Sequence, residues 1–167
     1  MHALSKLVTL GVVVAFASAV AVTVSAQTGS EIGTWKMNVA KSTYSPGPAP
    51  KSRTLVFAAA GQGVKYSVEG VDADGSKVAS AYTANYDGKD VPLTVNDPAA
   101  SHAADVDTVS MKRINATTVE ETRKKGGKVV ETLTRVVSAD GKSMTTTQKG
   151  TNAQGRAINN VTVWEKQ

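Results

Sequence analysis

The chain predicts an all-β protein, an antiparallel up-and-down β-barrel of about ten strands following a signal peptide, and three observations carry this expectation. Short segments alternate apolar and polar residues, Asp-Gly and Gly-Gly turns separate them, and no stretch beyond the amino-terminal leader holds a capped 3.6-residue apolar period. Consecutive hairpin strands would leave two unpaired edges, and closing the sheet removes both. A two-sheet sandwich is the alternative.

The leader comes first. Lys6 precedes an apolar run from Leu7 to Val24 that ends in Val24-Ser25-Ala26, the pattern of a charged start, an apolar stretch and a small-residue cleavage site. Residues 1–26 are therefore expected to be a signal peptide and residues 27–167 a single barrel domain in the periplasm or the medium. An uncleaved membrane anchor is the competing reading, because the run is nearly long enough to span a bilayer. The 167 residues contain no cysteine, so acylation at a cysteine, disulfides and thiolate metal sites are all excluded. Packing alone must hold the fold. The formal charge of +5 is spread among acidic residues and speaks for solubility more than for a partner.

The first strand is Gly33 to Val39, with Trp35, Met37 and Val39 on one face and Thr34, Lys36 and Asn38 on the other. Gly33 and Trp35 are its structural residues, Trp35 as the plug at one end of the core. The segment after Lys41 carries Pro46, Pro48 and Pro50, which exclude helix and favour an extended crossing over one end of the sheet. Nine further strands follow: Arg53–Ala60, Val64–Val71, Lys77–Tyr86, Val91–Val95, Thr108–Ile114, Thr118–Lys125, Lys128–Val137, Ser143–Lys149 and Arg156–Glu165. Their turns include Asp74-Gly75, Asp87-Gly88, Gly126-Gly127 and Asp140-Gly141, so neighbours in sequence are expected to pair antiparallel. The segment from Asn96 to Asp107 is a loop. Only 5% of residues are aromatic, and many strand positions are Ala, Thr, Ser or Val, so the barrel either encloses a ligand cavity or flattens until its walls touch.

A resemblance is carried by Gly33-Thr34-Trp35-Lys36-Met37 at the start and Val161-Thr162-Val163-Trp164-Glu165-Lys166 at the end. The opening resembles the Gly-x-Trp first strand of the calycins, the superfamily of lipocalins and fatty-acid-binding proteins, and the ending is similar to the closing strand of the latter. Asp87-Gly88-Lys89, the stretch Asp107 to Ile114, Asp140-Gly141-Lys142 and Lys149-Gly150-Thr151 resemble small secreted bacterial proteins described as lipocalin-like. The resemblance implies a ten-stranded calycin-like barrel. Two departures stand beside it: the proline-rich crossing replaces the helix pair of fatty-acid-binding proteins, and the chain stops after a strand where lipocalins carry a helix.

Catalytic signals are weak. His102 with Asp105 and Asp107 is a thin metal candidate, Asp72-Ala73-Asp74-Gly75-Ser76 lacks the full ligand set of a calcium loop, and Glu120 and Glu121 face opposite sides of a strand. No Gly-x-Ser-x-Gly, His-Glu-x-x-His or phosphate-loop motif occurs. The expectation is a binder of a small hydrophobic or amphipathic molecule, not an enzyme, without cofactor or metal, and a monomer. The family's closing strand commonly holds a carboxylate through an Arg-x-Tyr pair; the matching positions here are Thr162 and Trp164, which implies a neutral ligand. Trp164, Tyr66, Tyr82 and Met111 are the expected apolar wall, with Thr162 as a hydroxyl contact. Arg135 would supply a charge if its face turned inward. The one basic cluster, Arg123, Lys124, Lys125 and Lys128 at a hairpin tip, is a candidate contact for an anionic envelope surface, the basis of an alternative reading as a non-catalytic interaction protein. Nucleic acid is not expected, because no aromatics interleave with these charges.

Overall fold

The computed structural model describes residues 29–95, 105–152 and 154–167. The signal-peptide reading and His102 fall outside them. The described residues form β1 (Gly33–Thr43), β2 (Ser52–Ala60), β3 (Gly63–Val71), β4 (Lys77–Asn85), β5 (Val91–Pro92), β6 (Thr94–Val95), β7 (Thr108–Arg113), β8 (Thr118–Lys125), β9 (Lys128–Val137), β10 (Ser143–Thr151) and β11 (Ala157–Lys166). All belong to one antiparallel sheet in the order β5-β7-β8-β9-β10-β11-β1-β2-β3-β4-β6. Ten strands were expected where eleven are found. The segment 91–95 accounts for the difference: Val91 and Pro92 pair with Val109 and Thr108 of β7, while Val95 and Thr94 pair with Ser80 and Ala81 of β4.

One stretch of chain thus bridges both ends of the sheet. Asp87 also bridges Lys112, and Gly88 N donates to Met111 O at 2.8 Å, so the sheet is a nearly closed barrel. Closure removes most of the edge that an open sheet of this size would expose. This is the architecture that the calycin resemblance implies, with no helix among the described residues. β1 occupies the middle of the order, paired with β2 on one side and with β11 on the other.

The end of the barrel that contains the start of β1 is closed. Trp35 is fully buried, its indole Nε1 donates to Glu31 O at 2.7 Å, and the Lys166 ammonium lies 5.1 Å from the ring centre. Gly33 has φ of +138°, a conformation that side-chain-bearing residues rarely adopt, so glycine is required there by backbone geometry. Glu31 itself is only 1% exposed. It accepts from Tyr86 Oη and from Arg113, whose Nη2 is 2.9 Å away and whose guanidinium stacks 3.9 Å above the Tyr86 ring. A buried carboxylate would be expensive without such partners, and here they tie the turn before β1 to β7 and to the segment after β4. Val64, Met111, Val119, Val137 and Met144 fill the rest of this half.

Hairpin chemistry follows the expected turns. Asp74 Oδ1 accepts from Ser76 N at 2.8 Å and from Ser76 Oγ at 2.7 Å, so Asp72 to Ser76 is a tight turn and not a calcium loop. Asp107 Oδ2 accepts from Gly126 N at 2.7 Å, capping the β8–β9 turn.

Candidate functional site

The other half of the barrel is hollow. A cavity of about 540 Å³ opens at the end where the β3–β4, β8–β9 and β10–β11 hairpins turn, with Asp72, Lys125 and Asn152 among its lining residues. Its apolar wall comes from inward positions of alternating strands: Leu55, Tyr66, Val68, Val78, Leu133 and Trp164. The flattened-barrel alternative is therefore not realised.

Pro46, Pro48 and Pro50 line the mouth, so the proline crossing lies over the open end as a strap. It is tied to β11: Ser45 N donates to Asn160 Oδ1 at 2.9 Å, Asn159 N donates to Ser45 O at 2.7 Å, and the Tyr44 hydroxyl shares a 3.0 Å hydrogen bond with Thr162 Oγ1. The prolines have no backbone donors, so the strap is anchored at its start, through the backbone of Ser45 and the hydroxyl of Tyr44.

Arg123, Glu131, Arg135 and Gln148 line the polar side of the cavity and belong to a charge network centred on Glu121, which lies behind them. Glu121, fully buried on β8, stands between two arginines: Arg123 Nε donates to its Oε1 at 2.5 Å, and Arg135 Nη1 lies 2.8 Å from its Oε2. Tyr82 Oη donates to the same Oε2 at 2.5 Å. Arg123 also reaches Glu131 Oε2 at 3.2 Å, and Gln148 Nε2 donates to that oxygen at 2.9 Å. Arg53 pairs with Asp72 nearer the mouth. Burial pushes the Glu121 carboxyl up, but Arg135 and Arg123 together with the Tyr82 and Arg123 hydrogen bonds outweigh it and hold its pKa down at about 2. Burial raises the Tyr82 phenol well above its ordinary range, and the Glu121 charge raises it further, so it remains a donor.

The expected site residues divide between the two halves. Trp164, Thr162, Tyr66 and Arg135 line the cavity. Tyr82 and Met111 do not: both point into the barrel but lie in its packed half, Tyr82 stacked 4.6 Å behind Tyr66 and Met111 fully buried. Strand parity selects the inward face and says nothing about how far along the axis the filling ends. Arg135 does turn inward, 2% exposed, with its guanidinium 5.5 Å from the Phe57 ring centre and 5.6 Å from that of Tyr66.

The basic cluster is corrected. Arg123 shares the inward face of β8 with Val119 and Glu121, its side chain only 19% exposed, and it cannot reach an outer surface. Lys124 is paired with Asp90, 2.8 and 2.7 Å from its two oxygens. Lys125 and Lys128 remain exposed at the tip. The signal for the network was present in the sequence, since Glu121 and Arg123 stand two apart in an alternating strand and must share a face. Charges on such a face suggest solvent until their partners on β9 and β10 are known.

No protein-family model matches the chain, and no curated protein does. Among solved structures it is similar to the zebrafish ileal bile acid-binding protein crystallised with cholic acid, at 9% identity and a TM-score of 0.45, over 83% of this chain and 100% of that one.

Proposed function

We propose that this is an exported protein, periplasmic or secreted, that binds a small amphipathic molecule in the open half of its barrel and catalyses no reaction on it. The observation that carries the proposal is the one-ended cavity of about 540 Å³, which falls in the range of roughly 300 to 1,000 Å³ typical of small-molecule sites. Its wall is apolar on one side, with a buried arginine on the other. That combination suits a ligand with an apolar body and a polar group.

Binding without chemistry fits the state of the buried groups. Glu121 is ionised at neutral pH and already accepts from Tyr82 and Arg123, so it has no proton to give. The envelope-surface alternative now rests on Lys125 and Lys128 alone, because Arg123 and Lys124 are engaged elsewhere.

The test is native mass spectrometry of the protein purified from its own host, followed by fluorescence titration of Trp164 with candidate amphiphiles. A co-purifying small molecule, or a titration that saturates at one equivalent and is blunted by Trp164→Phe, is the expected result. A protein that leaves its host empty and takes up no amphiphile refutes the proposal.

A further inference from the structure

A chain of hydrogen bonds runs across the polar wall of the cavity, and a single backbone N–H fixes its direction. Ser45 N donates to Asn160 Oδ1 at 2.9 Å, so the Asn160 amide nitrogen is turned to β10, where it donates to Gln148 Oε1 at 3.1 Å. The Gln148 nitrogen is thereby placed on the far side, and it donates to Glu131 Oε2 at 2.9 Å. Gly150 stands opposite Glu131 in the β9–β10 register and leaves it room to lean towards Gln148. Arg123 Nη1 reaches the same oxygen at 3.2 Å. Both donors converge on Oε2, and among the described residues nothing donates to Glu131 Oε1. That oxygen is open to the cavity: the Glu131 side chain lines it and is 13% exposed, and the enclosed side-chain atoms without a partner are Ser30 Oγ and Arg135 Nε and Nη1. Arg123 Nη2, on the guanidinium beside it, makes no hydrogen bond among the described residues and is likewise not enclosed.

An open carboxylate oxygen held in this way calls for a donor. Ethers, esters and ketones bring none, and a carboxylate brings none and adds a like charge. An ammonium brings donors, but Glu131 already shares its charge with Arg123, and the lining has no negative charge to spare. Its cations are Arg53, Arg123, Lys125 and Arg135. Its carboxylates are Asp72, Asp105 and Glu131, with Glu121 behind them. A cation entering that balance sheds its hydration without gaining an unshared counter-charge. A hydroxyl donates to Oε1 and carries no charge, and Arg123 Nη2 is the donor at hand for its oxygen. Leu55, Val68 and Val78 of β2, β3 and β4 supply apolar wall for the rest of the molecule. Resting on the binding reading above, we infer that the ligand is a neutral amphiphile with a hydroxyl group that donates to Glu131 Oε1.

Calorimetric titration of the purified protein with 1-decanol, decyl methyl ether, decanoate and decylammonium at pH 8 tests this. Decanol is expected to bind about tenfold more tightly than the ether, which keeps the oxygen and loses the proton, and about tenfold more tightly than either ion. Glu131→Gln gives the sharper reading. Arg123 Nη1 and Gln148 Nε2 both need an oxygen at that position, so the new amide turns its nitrogen to the cavity and the free acceptor becomes a donor. The preference for decanol over the ether should then fall below about twofold, a change that a merely structural role would not produce. Circular dichroism checks that the variant folds. If it does not, decanamide against N,N-dimethyldecanamide in the unaltered protein isolates the donor in the same way, and the primary amide should bind about tenfold more tightly. Equal affinity for decanol and its ether, tighter binding of either ion, or a preference that survives Glu131→Gln overturns the inference and leaves the binding proposal standing. Failure of every probe to bind refutes both.

Discussion

Glu121→Gln offers the sharpest test of the buried network, because the effect of the substitution should depend on pH in a direction that the structure dictates. The Glu121 carboxyl titrates at about 2 in the folded chain against an ordinary value of 4.5. A depressed folded pKa means that the unfolded chain binds the proton more readily, so the stabilisation is present above the unfolded value and is lost as pH falls through the folded one. The difference corresponds to on the order of 3 kcal/mol at pH 7, of which about 2 kcal/mol is gone by pH 3. At pH 7 the glutamine variant leaves Arg135 buried without its counter-charge, which costs about 3 to 5 kcal/mol. In acid the native carboxyl becomes neutral too, and the two proteins converge. Urea unfolding of both proteins, followed by tryptophan fluorescence from pH 7 to pH 3, measures the gap directly, and the titration of every other carboxylate cancels in the difference. A gap that stays constant to within about 0.5 kcal/mol would show that Glu121 is not held as the ionised partner of Arg123 and Arg135.

Two other predictions concern the closed end and the leader. Trp35→Ala should destabilise the fold by about 3 to 5 kcal/mol, since it empties a fully buried site and leaves Glu31 O without its donor; a loss below about 1 kcal/mol in the same urea assay would show that β1 does not organise the core. The apolar run ending in Val24-Ser25-Ala26 predicts a mature chain that starts at Gln27, and an intact mass that retains residues 1–26 on a membrane-bound product would contradict it.

Local rules placed most of the barrel. Period-two alternation put Trp35 and Tyr66 on apolar faces, glycine-containing turns set the hairpins, and three prolines marked the strap, while the inward face of Trp164 came from the calycin resemblance and that of Arg135 stayed open until the strands were paired. All of these depend on a residue and its near neighbours, which a sequence displays. What it could not display is position along the barrel axis and partnership across it. Tyr82 and Tyr66 share the inward parity and stack on each other, yet only Tyr66 reaches the cavity, because the packed half ends between them. Arg123 sits in a run of basic residues that suggests a solvated tip, and it is the pairing of β8 with β9, and of β9 with β10, that brings Glu131 and Gln148 to the network and turns that arginine into an interior group. Burial of charge is stable only when counter-charges and donors converge from strands distant in the chain. The amino-acid sequence by itself determined which side chains share a strand face, and the tertiary structure alone decided which charged faces turn inward and which inward faces surround empty space.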